Sequence, residues 1–167
     1  EPRPPNETGS SIKADSYWKG NAGTVTIGTV EAPVHSVDIN TQGSISTSAF
    51  GGRFGRSGNA GNVSVIADKV QMTSGGGINT SVVFGGAAGT IQVTATDSIL
   101  LDNRGGRRFS LGALLDFFQY GIPLPPGTLT GLFSVSMLSG LGGSITFDAP
   151  DITLTDGAVI GSSTVGG

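Results

Sequence analysis

The sequence repeats a short pattern in which a glycine precedes two apolar residues that alternate with polar ones. The pattern occurs four times, at residues 23–27, 61–65, 89–93 and 143–147. Self-similarity of this kind is the signature of repeat architectures and constrains the fold more than any single motif does. Alternation of apolar and polar residues indicates a β-strand. We name this stretch strand a of the repeat unit.

Two further alternating stretches follow each copy of strand a. Strand b carries a pair of apolar residues, such as Val70 and Met72, and ends in a polar or glycine-rich turn such as residues 73–76. Strand c begins with an apolar residue, and its five copies start at Ile12, Ile45, Ile78, Phe133 and Ile160. Gly, Asn and Asp tolerate the positive φ that sharp corners require. Each unit is therefore predicted to contain three short strands joined by corners.

The spacing between copies predicts how the units stack. Gly61 and Gly89 are 28 residues apart, and the longer intervals contain extra residues at corners and an insertion at about 106–130. Three strands and three corners in this length suit one rung of a triangular solenoid, in which rungs bury their inward side chains by stacking. We predict an all-β parallel solenoid of about four to five rungs. A β-sandwich, which also has short strands at even spacing, is the alternative.

The period of two assigns the residues to faces. Val63, Ile91 and Ile145 are predicted to stack inward in adjacent parallel strands. On strand c, the second inward position holds smaller or polar residues, whose hydroxyls are expected to hydrogen-bond along the stack: Ala14, Thr47, Thr80, Val135 and Ser162. The outward positions of strand a are polar and neutral: Thr24, Thr26, Asn62, Ser64, Thr90, Gln92, Ser144 and Thr146.

The insertion interrupts the repeat and predicts one short helix over residues 109–121. Four apolar residues in it fall at i, i+3, i+4 and i+7, which gives one apolar face. Phe117 and Tyr120 lie beside that face and are candidates for partner contact. The chain is accordingly divided into a Pro-rich segment, residues 1–9, and a repeat domain, residues 10–167, that contains the insertion.

Five of the nine basic residues fall in two loops, with Arg104, Arg107 and Arg108 entering the insertion and Arg53 and Arg56 in another corner. Arginine binds sulfate and carboxylate groups through two parallel hydrogen bonds. These residues are therefore candidates for contact with an acidic glycan. The alternative is that they are solvated loop charges.

The search for catalytic and metal-binding residues gives little. His35 is the only histidine, cysteine is absent, and no nucleophile-elbow, phosphate-loop or zinc-protease pattern occurs. Four carboxylates fall at the predicted corner between strands a and b: Glu31, Asp68, Asp97 and Asp151. A row of carboxylates can bind Ca²⁺, but we favour a role in forming the turns. We predict no catalytic residue, no metal site and no cofactor.

Charge and hydropathy restrict the partners. The net charge of −3 is too small to favour nucleic acid, and no apolar run approaches the ~18 residues that a membrane span needs. The chain begins and ends inside copies of strand c, so we expect a piece of a longer protein. Unpaired strand edges would then favour further rungs or end-to-end stacking of copies.

Residues 58–65, Gly-Asn-Ala-Gly-Asn-Val-Ser-Val, and residues 156–164, Asp-Gly-Ala-Val-Ile-Gly-Ser-Ser-Thr, resemble the repeats of filamentous-haemagglutinin-like exoproteins of the two-partner secretion system. The resemblance covers roughly residues 10–167 apart from the insertion. It implies a right-handed parallel β-helix, secretion to the bacterial cell surface, and a role in adhesion, aggregation or biofilm formation. The secretion domain of that family is not found in this sequence.

The sequence therefore predicts a structural and adhesive segment rather than an enzyme. Its expected partners are glycans or proteins on host or neighbouring cells, together with other copies of itself. Two rival functions are a pectate-lyase-like enzyme that processes polysaccharides, and a surface that binds ice or crystals. The first would need Asp and Arg clustered in a groove, and the second a regular array of threonines.

Overall fold

The computed structural model describes residues 9–51, 57–106, 130–137 and 140–165, and these form eleven strands and no helix. The predicted Pro-rich segment and almost all of the insertion, including its predicted helix, lie outside the described residues. The strands are β1 (Ser11–Lys13), β2 (Val25–Ile27), β3 (Val34–Ile39), β4 (Ser44–Ser46), β5 (Val63–Thr73), β6 (Gly77–Asn79), β7 (Ile91–Asp102), β8 (Gly131–Met137), β9 (Ile145–Asp148), β10 (Asp151–Thr155) and β11 (Val159–Val165).

The strands form two sheets in which every pair is parallel. The five-stranded sheet has the order β1-β4-β6-β8-β11. The six-stranded sheet has the order β10-β7-β5-β2, with β3 also paired to β5 and β9 to β7. Because strands consecutive in one sheet are separated in sequence by strands of the other, the chain crosses repeatedly between the sheets. Both sheets contribute to one hydrophobic core, with Ile45, Ile78 and Leu132 from the first and Val63 and Ile91 among those from the second.

Equivalent positions of the repeat are paired in register. Val63 lies opposite Ile91, and Ile91 opposite Ile145. Val63 and Ile91 are 1% and 0% exposed, so the inward assignment of these two positions is confirmed. The predicted outward positions of strand a are exposed, apart from Ser64, which is partly buried. For strand a, the repeat therefore predicts strand pairing and facing correctly.

The predicted closed, three-strand β-helix is wrong. The strands form two open sheets rather than three faces. In the two middle units strands a and b are joined, because β5 and β7 continue through the predicted corner as strands of 11 and 12 residues. At that point the register shifts between Ala67 and Lys69. Such a bulge bends a strand without ending its ladder, whereas in the sequence a break in the alternation at Asp68 is indistinguishable from a corner.

The fourth copy of strand c is displaced by one residue from the prediction. Leu132, not Phe133, pairs with Ile78 and Ile160 and is fully buried. This stretch has apolar residues at both odd-numbered and even-numbered positions, so the sequence pattern does not determine which face is inward. In the observed register the hydroxyls of Ser134 and Ser136 donate to the carbonyls of Gly89 (2.8 Å) and Gly86 (3.1 Å).

The glycine that opens strand a is required by close approach of the backbone. A Cβ atom on Gly61 would lie 1.7 Å from the carbonyl oxygen of Gly23, and one on Gly89 would lie 1.8 Å from that of Gly61. The inward hydroxyls of strand c donate to the carbonyls of the glycines that open strand a, from Thr47 to Gly61 (2.8 Å) and from Thr80 to Gly89 (3.1 Å). The predicted hydrogen bonds therefore run from strand c to the start of the next strand a rather than along the stack.

The first unit is longer than the second. Gly23 and Gly61 are 38 residues apart, whereas Gly61 and Gly89 are 28 residues apart. Its extra length contains a turn that is closed by its own backbone, because Thr29 and Ala32 exchange N–H···O bonds of 3.1 and 3.2 Å. The strands on both sides of the turn remain in register with β5. The additional residues of this turn thus lie outside the ladder.

Candidate functional site

The outward face of the six-stranded sheet carries aligned polar side chains. Thr26, Ser64, Gln92 and Thr146 are register partners in adjacent strands, about 5 Å from one strand to the next. In the neighbouring row, Asn62 Oδ1 accepts the Thr90 N–H (2.8 Å), and the Thr90 hydroxyl lies 3.2 Å from that of Ser144. The face can offer many hydroxyl and amide groups at once to an extended ligand. Asn62, Ser64 and Gln92 interrupt the threonines, so the rows are not a regular threonine array.

Arg104 is the one predicted contact residue that the structure describes, and it forms ion pairs with Asp102 and Asp156. Its Nε and Nη2 each lie 2.7 Å from Asp102 Oδ2, and its Nε is 3.3 Å from Asp156 Oδ2. Its backbone N–H also donates to Asp102 Oδ1 (2.8 Å). The Asp102 side chain is 8% exposed. One guanidinium between two carboxylates leaves no net positive charge there, so this corner is not suited to an acidic glycan.

We expect the Arg104 corner to make stability depend on pH. The hydrogen bond from the Arg104 side chain, then that from its backbone, holds the pKa of Asp102 below its usual 3.8. A folded-state pKa below the unfolded one gives stability that is present above the unfolded pKa and is lost as pH falls through the folded pKa. Melting temperatures measured from pH 7 to about pH 2.5 should fall more in the parent chain than in Asp102→Asn. Asp151→Asn, at an exposed carboxylate, is the matched control; equal acid sensitivity of all three chains would contradict the prediction.

The other predicted contact residues, Arg53, Arg56, Arg107, Arg108, Phe117 and Tyr120, lie outside the described residues. Their role in partner contact stays a prediction.

The predicted corner carboxylates do not converge on one point. Asp68 accepts hydrogen bonds from Thr96 (2.9 Å) and faces His35 Nδ1 at 3.2 Å, and both interactions hold the pKa of Asp68 below 3.8. Asp97 instead pairs with Lys69 at 3.3 Å. His35 lies in β3, and its side chain is 88% exposed. Across the described parts of the chain, no three His, Cys, Asp or Glu side chains are close enough to hold a metal ion.

A cleft at the corner between strands c and a was not predicted. It has a volume of about 400 Å³ and is lined by Ser57, Asn59, Gly85, Gly86, Ala87, Gly140 and Leu141. These residues come from three consecutive units and meet only because the units stack. The sequence signal that points to the cleft is the repeated glycine lead before strand a, in which Asn59 occurs.

Comparison of the chain with protein-family models, with curated proteins and with solved structures gave no significant match. Within the part of the chain that the structure describes, no helix has the length and apolar character to cross a membrane.

Proposed function

We propose that this chain is a structural and adhesive segment of a secreted bacterial surface protein, similar to the filamentous-haemagglutinin-like exoproteins. The observation that carries the proposal is the in-register stacking of repeat units, which aligns outward hydroxyl and amide groups across four adjacent strands. A surface of this kind binds through many weak contacts in parallel, so its avidity grows with the number of units. The extracellular location rests on the sequence resemblance.

A binding role is favoured over a catalytic one by the chemistry of the described side chains. Among the described residues, Arg and Asp side chains meet at Arg104, which forms ion pairs with Asp102 and Asp156. The Asp102 side chain is nearly buried. A lyase or glycosidase needs carboxylates and cations that face a substrate groove. The corner cleft is lined by Ser, Asn, Gly, Ala and Leu, none of which is a strong acid or base.

The last strands support contact between copies as part of the same function. Ile152 and Leu154 of β10 are 36% and 43% exposed, whereas their partners Ile99 and Leu101 in β7 are 1% and 0% exposed. β10 has a paired neighbour on one side only in the described sheet. An edge with free backbone groups and apolar side chains pairs readily with another strand of the same pattern, either in a further unit of a longer parent protein or in another copy. Stacking of copies in a single direction does not close, so it would produce filaments.

The proposal is tested by coating beads with the 167-residue chain and measuring their attachment to epithelial cell monolayers and to one another. We expect attachment above that of albumin-coated beads, and loss of it when the chain is thermally unfolded before coating. Aggregation of chain-coated beads without cells would report contact between copies. The absence of both cell attachment and bead aggregation would overturn the proposed function.

A further inference from the structure

The outer face of the five-stranded sheet is buried in its middle, although the core lies on the other side of the sheet. Ile45, Ile78 and Leu132 belong to the core that the two sheets share. The residues that alternate with them along β4, β6, β8 and the bridges that follow point away from that core. Five of these outward residues are nevertheless at most 8% exposed: Ser46, Ser48, Ser81, Val135 and Met137.

The described strands do not account for this burial. Val135 and Met137 are not members of the shared core cluster. β6 and β8 contact their neighbours in their own sheet and, across the core, strands of the six-stranded sheet, so no described strand lies on the outer face. On the six-stranded sheet, by contrast, the outward residues Thr26, Gln92 and Thr146 are exposed. Another part of the molecule therefore covers the middle of the five-stranded sheet.

We propose that the insertion, residues 107–129, packs against the outer face of β4, β6 and β8; this inference goes beyond the proposed function and does not depend on it. The insertion contains 23 residues, and the other stretches outside the described residues have eight or fewer. It joins Gly106 to Thr130 and so leads directly into β8. The segment thus enters the sheet beside the surface that it would cover.

The outward side chains of β8 match an apolar partner. Ser46 and Asn79 are the register partners of Phe133, so the outer face changes from polar to apolar at β8, where Val135 and Met137 follow. The change occurs in the same unit that contains the insertion. The segment supplies the complementary surface, since its apolar residues fall on one predicted helical face, and burial of two apolar surfaces against each other is favourable: Leu111, Leu114, Leu115 and Phe118.

The extent of the buried patch matches one helix. The burial fades toward the edges of the sheet, where Lys13 in β1 is exposed and Ser163 in β11 is half-buried. The three covered strands span about 10 Å at the usual strand spacing. An α-helix with its side chains is about as wide, roughly 10–12 Å. One helical segment is therefore sufficient to cover β4, β6 and β8.

The polar groups of the outer face are paired with one another, as a covered surface requires. The Ser46 hydroxyl donates to Asp15 Oδ1 (2.6 Å). The Ser48 hydroxyl accepts the Ser81 N–H (3.1 Å), and the Ser81 hydroxyl donates to Asn79 Oδ1. A covering segment can therefore be apolar without leaving these groups unsatisfied. Contact with large ligands is then left to the six-stranded sheet and the corners.

The two methionines of the chain provide the test. Met72 is fully buried in the shared core, whereas Met137 is 7% exposed on the outer face. Hydrogen peroxide oxidises methionine to the sulfoxide, and the rate at each residue, measured by peptide mass spectrometry, reports its access to solvent. The variant Leu114→Ser with Phe118→Ser interrupts the apolar face of the insertion. The matched control, Asp116→Ser with Gln119→Ser, introduces two serines outside that face.

We expect both methionines to react slowly in the parent chain and in the control. In the Leu114 and Phe118 variant, Met137 should react at least about tenfold faster while Met72 keeps its slow rate. Replacement of residues 107–129 by a short Gly-Ser linker should have the same selective effect on Met137.

Three results would overturn the inference. The first is rapid oxidation of Met137 in the parent chain. The second is a Leu114 and Phe118 variant in which Met137 stays protected or in which both methionines react faster alike. The third is protection of Met137 that is lost on dilution, which would mean that a second copy covers the face. The bead-attachment measurement still decides the proposed function in each case, because the outward rows of the six-stranded sheet lie on the other side.

Discussion

Substitution of Gly89 by alanine is expected to lower the free energy of unfolding by at least about 3 kcal/mol, or to prevent folding. The added Cβ would lie 1.8 Å from the Gly61 carbonyl oxygen and 3.3 Å from the Thr80 Cβ. The oxygen belongs to the backbone of the adjacent unit, so it can move away only if the parallel ladder of β5 and β7 separates. Chemical denaturation followed by circular dichroism measures the effect.

Gly161→Ala is the matched control for Gly89→Ala. Nothing lies within 4 Å of the Cβ that this change would add, so stability should stay within about 0.5 kcal/mol of the parent chain. If both variants were equally stable, the close backbone approach at strand a would not be present in solution.

Replacement of Ile91 by aspartate is expected to cost more than about 4 kcal/mol, because it places an unpaired carboxylate in the core. Ile91 is fully buried and lies between Val63 and Ile145 in the sheet. The new carboxylate would have no cation beside it among those partners, and protonation would relieve only part of the cost.

The neighbouring Gln92→Asp provides the comparison for Ile91→Asp. Gln92 is exposed on the opposite face of the same strand, so the same new side chain should change stability by about 0.5 kcal/mol or less. Melting temperatures of the two variants within a degree or two of each other would show that β7 does not bury Ile91.

The repeat predicts which strands pair because pairing depends on features that are local and recur in each unit. The glycine before strand a and the apolar pair after it are visible in every copy, and the observed register of Val63, Ile91 and Ile145 follows from them. The number of sheets was not predictable in the same way. Whether the chain bends sharply or bulges at Asp68 is decided by backbone pairing with the adjacent unit, and both outcomes interrupt the alternation alike.

The candidate site was less predictable than the fold. The loop arginines are conspicuous in the sequence, yet the described one, Arg104, is held by Asp102 and Asp156, which are 2 and 52 positions away. The corner cleft is lined by residues from three units. The absence of a hydrogen-bond partner for the buried Ser57 hydroxyl is visible only in the folded structure. The alternation in the fourth copy of strand c was ambiguous, and Leu132 took the position that we assign to Phe133.

The self-closed turn at Thr29 and Ala32 has a consequence for how such a chain can diversify. The turn satisfies its own backbone groups, and both flanking strands keep their partners. The main free-energy cost of lengthening such a corner is therefore the entropy of closing the loop. That cost rises by only about 0.6 kcal/mol for each doubling of the loop. Selection can therefore change the length and sequence of the corners while the ladder beneath them stays unaltered. Each unit is stabilised by stacking on its neighbours, so the residues of its corners can vary with little effect on the fold.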